Sequence, residues 1–373
     1  MSNEVGVYLH LPFCLSKCRY CSFPSEGGKL FLIEPYLEAL RQELDFYRPD
    51  QPTARTWYLG GGTPSLLSPH QLESLLADVE THLPFQAGAE RTIEVNPATG
   101  SDELWRVARA YGVNRASIGA QSFSERLLRR IGRLHDPEAI RRTVHALREA
   151  GIENVSLDLI YGLPDQTLED WKETLEEALR LEPAHLSVYG LSVEEGTPFC
   201  LEQEQGILRL PEEATEVRMA EIAEETLSAA GFLHYEIASW AREGFESRHN
   251  CIYWKLEPYL GLGAGAHSYY RHRRYAHGPS IEGYIREPLP RFPDAALTKE
   301  EEMQEFLFLG LRLLREGVSE EEFQARFGVS LDEVFGAAIA DLLSKGLLLR
   351  EGLRIRLAPQ ALLIANEVFL AFV

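Results

Sequence analysis

The sequence predicts an α/β fold: a partial (β/α)6 barrel followed by a small helical, winged-helix-like domain. Three observations carry this expectation. Six strand-then-helix units follow one another at a spacing of roughly 30 residues, the alternation that builds a parallel sheet. Polar or glycine-rich residues stand at or just after the ends of five successive strands, where a parallel barrel keeps its working loops. The last part of the chain changes to a helix, helix, helix, hairpin pattern. Periodicity alone does not separate an open barrel from a doubly wound sheet.

The elements follow in order. Val5–Leu11 reads as a short strand rich in β-branched and aromatic residues, and Ile33–Tyr47 has helical periodicity. Thr56–Leu59 is a strand ending in three glycines, followed by a helix over Pro69–His82 with Ser68 as N-cap. Thr92–Asn96 is a strand stopped by Pro97, Asp102–Ala110 a helix, Ala116–Ala120 a strand, and Pro137–Ala150 a helix closed by Gly151. Val155–Tyr161 and His185–Leu191 are strands on either side of a helix at Leu168–Leu181. A long helix, Glu212–Ala230, closes at Gly231. Trp240 to Pro293 reads as an irregular connection, rich in Gly, His, Tyr and Arg. Helices follow at Glu301–Arg315, Glu320–Phe327 and Leu331–Lys345, then two short strands, Gly346–Arg350 and Leu353–Leu357, and a last helix from Pro359. The expected units are residues 1–235, 236–293 and 294–373.

Bulk properties narrow the function. The 373 residues carry a formal charge of −20, which argues against a nucleic-acid binder, since phosphate contacts need clustered Lys and Arg. The C-terminal segment has more acids than bases, so its winged-helix pattern reads as structural. Five cysteines, three of them clustered, argue against a disulfide framework. Reduced thiols point to the cytoplasm. The start has no secretory pattern, and no run approaches the ~20 apolar residues of a membrane span.

The clustered cysteines, Cys14, Cys18 and Cys21, form CxxxCxxC and offer three thiolates without a fourth. A four-iron cluster held by three thiolates keeps one iron open to a small molecule. The alternative is a structural zinc, which needs four ligands and would have to recruit His10 or a distant residue. With Tyr8-Leu9-His10-Leu11-Pro12-Phe13 leading into Cys14, the motif resembles the radical S-adenosylmethionine (SAM) superfamily. Within it, the chain resembles the oxygen-independent coproporphyrinogen oxidase-like group, and most nearly the HemW heme-chaperone family. The resemblance implies a [4Fe-4S] cluster on the three cysteines, with SAM on the open iron. It also implies SAM contacts from Gly61, Gly62, Thr63, Glu94, Gln121, Arg133 and Asp158, and aromatic positions beside the cluster at Tyr8 and Tyr20. Without the resemblance, the glycines read as a tight turn, Glu94 and Asp158 as halves of buried ion pairs, and Tyr8 as core packing.

His249-Asn250-Cys251-Ile252-Tyr253-Trp254 matches HNxxYW, which resembles the heme-associated signature of those chaperones. His249 can ligate heme iron while Tyr253 and Trp254 pack on the porphyrin; the alternative is a capping His with two packed aromatics. Cys251 reads as a buried thiol. The basic run Arg271-His272-Arg273-Arg274 reads as an exposed loop or as a partner for heme propionates.

Two functions from different classes follow. One is a heme chaperone that hands its cargo to an acceptor protein and draws on an electron donor for the cluster. The other is an oxygen-independent coproporphyrinogen III oxidase, a radical decarboxylase of propionate side chains. The oxidase pattern continues as CxxxCxxCxC where this chain has Phe23, has an N-terminal extension ahead of the cluster, and lacks HNxxYW. All three differences point to the chaperone. An iron–sulfur DNA regulator would need a basic winged helix.

Overall fold

The computed structural model describes residues 3–293 and 295–373. Its main sheet has eleven strands. The first six are β1 (Glu4–Leu11), β2 (Thr53–Gly61), β3 (Phe85–Val95), β4 (Arg115–Gln121), β5 (Asn154–Tyr161) and β6 (His185–Gly190). They lie side by side in chain order and all run parallel. A doubly wound sheet reverses its order at a switch point; this one does not, so the barrel reading holds. The barrel stays open because the free edge of β1 is taken by β9 (Tyr259–Leu262), which pairs with it in parallel, Gly6 opposite Tyr259.

The remaining strands are β7 (Leu233–Glu236), β8 (Ser239–Ala241), β10 (His267–Tyr270) and β11 (Arg273–Ala276). They extend the two edges with antiparallel pairings. The segment from Trp240 to Pro293, expected to be irregular, therefore holds three sheet strands and the helices Arg248–Trp254 and Ile281–Arg286. Runs of four residues are too short to show a period, which is why the chain concealed them.

Strand alternation sorts the side chains. Val7, Leu9, Trp57, Leu59, Ile93, Ile118, Leu157 and Leu186 are fully or almost fully buried under the outer helices, in one apolar core. The other face turns inward, and register brings Tyr8 opposite Tyr58, Tyr58 opposite Thr92, Glu94 opposite Ser117 and Asp158 opposite Ser187. Where an aliphatic interior would pack solid, this polar one encloses a cavity of about 510 Å³.

A second apolar core joins Leu256 and Tyr269 to the C-terminal helices. The helix expected over Glu301–Arg315 is Lys299–Gly310 and ends early; at Gly310 a Cβ would lie 2.8 Å from the Val318 side chain. The hairpin Leu348–Glu351 and Arg354–Leu357 gains a third strand at Val318–Ser319. The last helix begins as a 3-10 turn, Pro359–Ile364.

Candidate functional site

The cavity opens at the C-terminal ends of β1–β6. Cys14, Cys18 and Cys21 line it, together with Tyr20, Gly61, Gly62, Thr63, Glu94, Gln121, Arg133 and Asp158. Eleven residues scattered over 145 positions thus share one wall, because each lies within, ends or follows one of the neighbouring parallel strands. Tyr8 does not line the cavity. Its hydroxyl donates to His10 Nδ1 at 2.9 Å, and His10 Nε2 donates to the Pro24 carbonyl at 2.7 Å. With both ring nitrogens engaged, and burial holding the imidazole neutral, His10 clamps the far end of the cysteine loop to β1. It is not the fourth metal ligand that the zinc alternative requires.

The cysteine loop is braced on three sides. Thr63 Oγ1 lies 3.7 Å from Cys14 Sγ, and Arg133 Nη1 lies 3.5 Å from Cys18 Sγ. Arg19 bonds Ile131 through its backbone and Glu202 through its side chain. Glu202 lies on a short helix, Pro198–Glu204. The glycines bring β2 against this loop. Gly61 holds φ +111°, and a Cβ there would sit 2.7 Å from the His10 ring; at Gly62 it would meet the Phe13 carbonyl oxygen at 2.6 Å. The tight-turn reading and the ligand reading therefore coexist, since the same residues pack the loop and face the cavity.

All three thiols are free. Among the described residues no three Cys, His, Asp or Glu side chains converge on a single point as ligands of one metal ion. All three thiols line the same cavity. Three thiolates lining one cavity suit a four-iron cluster with one iron left open, whereas a structural zinc needs four protein ligands.

Glu94 accepts from the Tyr58 hydroxyl at 2.9 Å and from Gly61 N at 3.0 Å. Burial pushes its carboxyl up to about 7. Asp158, also raised by burial, accepts from Ser117 Oγ at 3.1 Å. Neither carboxylate forms an ion pair within 4 Å among the described residues, so the ion-pair alternative is set aside. Gln121 holds φ +65°, a conformation that non-glycine residues take mostly where surroundings impose it. Tyr58, Arg115, Ser117, Ser187 and Asn250 also line the cavity, and sequence reading missed them. The signal was there: every second residue of β4, from Arg115 to Gln121, is polar or glycine.

The HNxxYW segment lies at the opposite end of the barrel. Glu90, on β3, accepts the backbone N–H groups of Arg248 and His249 at 3.1 and 2.9 Å, so this helix plugs the bottom. His249 is 1% exposed. Its Nδ1 lies 2.7 Å from Thr56 Oγ1, its Nε2 2.6 Å from the Tyr253 hydroxyl, and its ring stacks on Tyr58. Burial lowers its pKa to about 3. The residue expected as an iron ligand has both ring nitrogens engaged inside the core in this structure. Tyr253 packs edge-on against Tyr259, and Trp254 faces the Arg312 guanidinium. None of the three lines the cavity. Burial pushes the Cys251 thiol up to about 12, as a buried thiol requires. The basic run is also committed: Arg271 pairs with Asp50, His272 with Glu302 and Arg274 with Glu305.

Comparison with known proteins agrees with this geometry. Residues 8–178 match the radical SAM superfamily, and residues 297–364 match the HemN C-terminal domain. The chain is similar to the heme chaperone HemW of Lactococcus lactis, 37% identical over 98% of this chain and 97% of that one. It is similar to the heme chaperone HemW of Bacillus subtilis, 38% identical over 98% of each. In fold it resembles the coproporphyrinogen III oxidase HemN of Escherichia coli, a radical SAM enzyme, with TM-score 0.85 and 22% identity over 100% of this chain and 90% of that one.

Proposed function

The chain belongs to the HemW family of the radical SAM superfamily, and on that footing we propose that it is a heme chaperone, binding heme and passing it to an acceptor protein in the cytoplasm. The observation that carries this reading is near-complete alignment with heme chaperones at 37–38% identity. Phe23 supports it, standing exposed where the oxidase pattern has a further cysteine.

The superfamily implies a SAM-ligated [4Fe-4S] cluster, which supplies a one-electron centre with one iron open to the cofactor. The donor set described above fits that group. Cys14, Cys18 and Cys21 would hold the cluster, with Arg133 compensating thiolate charge beside Cys18. Thr63, with Gly61 and Gly62, would receive the amino end of SAM, where the absence of side chains allows close approach. Glu94 and Asp158 would accept from its cationic and hydroxyl groups through charge-assisted bonds, with Gln121 and Tyr20 completing the wall. Tyr8 acts one step away, through His10.

Heme is cargo in this reading, and an electron donor for the cluster is a second partner. The test pairs two assays on anaerobically reconstituted protein. Heme titration should produce a Soret band, and coproporphyrinogen III should be left unconverted. Conversion to protoporphyrinogen IX without heme binding would replace the chaperone with the oxidase.

A further inference from the structure

Arg115 is the first residue of β4, so it stands at the bottom of the barrel, some 20 Å along the strand from Gln121 by ordinary strand rise. It is 2% exposed and lines the cavity. Its Nε has no hydrogen-bond partner, and its guanidinium makes no hydrogen bond or ion pair among the described residues. The nearby acids are engaged elsewhere: Glu90 with the backbone of Arg248 and His249, Glu94 with Tyr58 and Gly61, Asp158 with Ser117. Asn250, on the helix that plugs the same end, also lines the cavity, and its carboxamide bonds no described residue.

Glu90 and Asp158 attract this cation only through space, so its fork bonds nothing among the described residues, and a buried guanidinium is stabilised further when an oxyanion meets it directly. The guanidinium fork matches a planar oxyanion, and the Asn250 amide adds a neutral donor. Burial raises Glu94 and Asp158 toward their neutral forms, which lowers the repulsion for one singly charged anion but not for a phosphate dianion. We propose that Arg115 and Asn250 form a carboxylate-binding subsite on the cavity floor, beneath Glu94 and Asp158. The carboxylate comes either from a tetrapyrrole propionate, a source that rests on the chaperone reading, or from a free amino acid.

The test uses the full-length, cluster-reconstituted protein as wild type, Arg115→Gln and Asn250→Asp. Affinities are measured for heme, heme dimethyl ester and L-methionine. A charge-assisted bond predicts a loss of roughly tenfold or more in either variant. Weakened heme binding with ester binding unchanged identifies the propionate. Weakened methionine binding alone identifies the amino acid. If Arg115→Gln does not fold, Asn250→Asp carries the test, because its side chain holds nothing in place. Unchanged affinities in both variants, or a wild type that binds neither heme nor methionine, overturn the subsite. A wild type that binds methionine through Arg115 but no heme keeps the subsite and sinks the chaperone reading.

Discussion

Burial keeps the Glu94 carboxyl protonated up to about pH 7, so any cation it accepts must displace a proton. SAM affinity should strengthen as pH rises from 6 to 8, and Glu94→Gln should flatten that profile; calorimetry at several pH values reads both. His249 titrates in the opposite sense. Its folded-state pKa, about 3, lies below the unfolded value near 6.5, so between those values only the unfolded chain takes the proton. Its contribution is complete above pH 6.5 and is lost as pH falls toward 3. His249→Ala leaves the Thr56 and Tyr253 hydroxyls facing an unfilled space and should cost about 2–5 kcal/mol. Chemical denaturation should register that loss, with a flatter acid limb, while the Soret band per folded molecule stays unchanged. A Soret band that vanishes in a stably folded variant would establish His249 as a ligand.

Among the elements, the cysteine loop depends on neighbours distant in sequence. The β2 glycines, the clamp of His10 on Pro24, and the Pro198–Glu204 helix each fix one side of it. Gly62→Ala forces a methyl against the Phe13 carbonyl, a contact of 2.6 Å that only displacement of the loop relieves. Iron per chain after reconstitution should fall well below the wild-type value while the melting temperature changes little; full occupancy would show that the loop tolerates the shift. The cysteine spacing and the glycine run were legible in the chain because each is a local pattern. The clamp and the brace were not, since His10, Pro24 and Glu202 have no periodic signature and meet only after the barrel forms. The HNxxYW helix shows the same limit: its residues announce a motif, but only the fold makes them a plug.

In the whole molecule, two apolar cores meet along the β9–β10 edge. Tyr269 donates to Glu302, Lys255 pairs with Glu316, and Arg274 pairs with Glu305 across that junction. A chain ending at Ala296 keeps every cavity-lining residue but uncovers Leu256, Tyr259 and Tyr269. It should melt several degrees lower and bind a hydrophobic dye; unchanged melting would mean that the C-terminal helices contribute nothing to the barrel. Without any structure, the residues already announced a parallel α/β sheet, a metal shell of three thiolates one ligand short of closure, and working groups at the strand ends, because strand alternation and ligand spacing are local properties of the chain. The open edge filled by β9, the internal placement of His249 and the unpaired Arg115 were decided by the tertiary structure. They depend on which distant segments come to share an interior, and a polar side chain's role changes once burial removes its water and decides which partners remain.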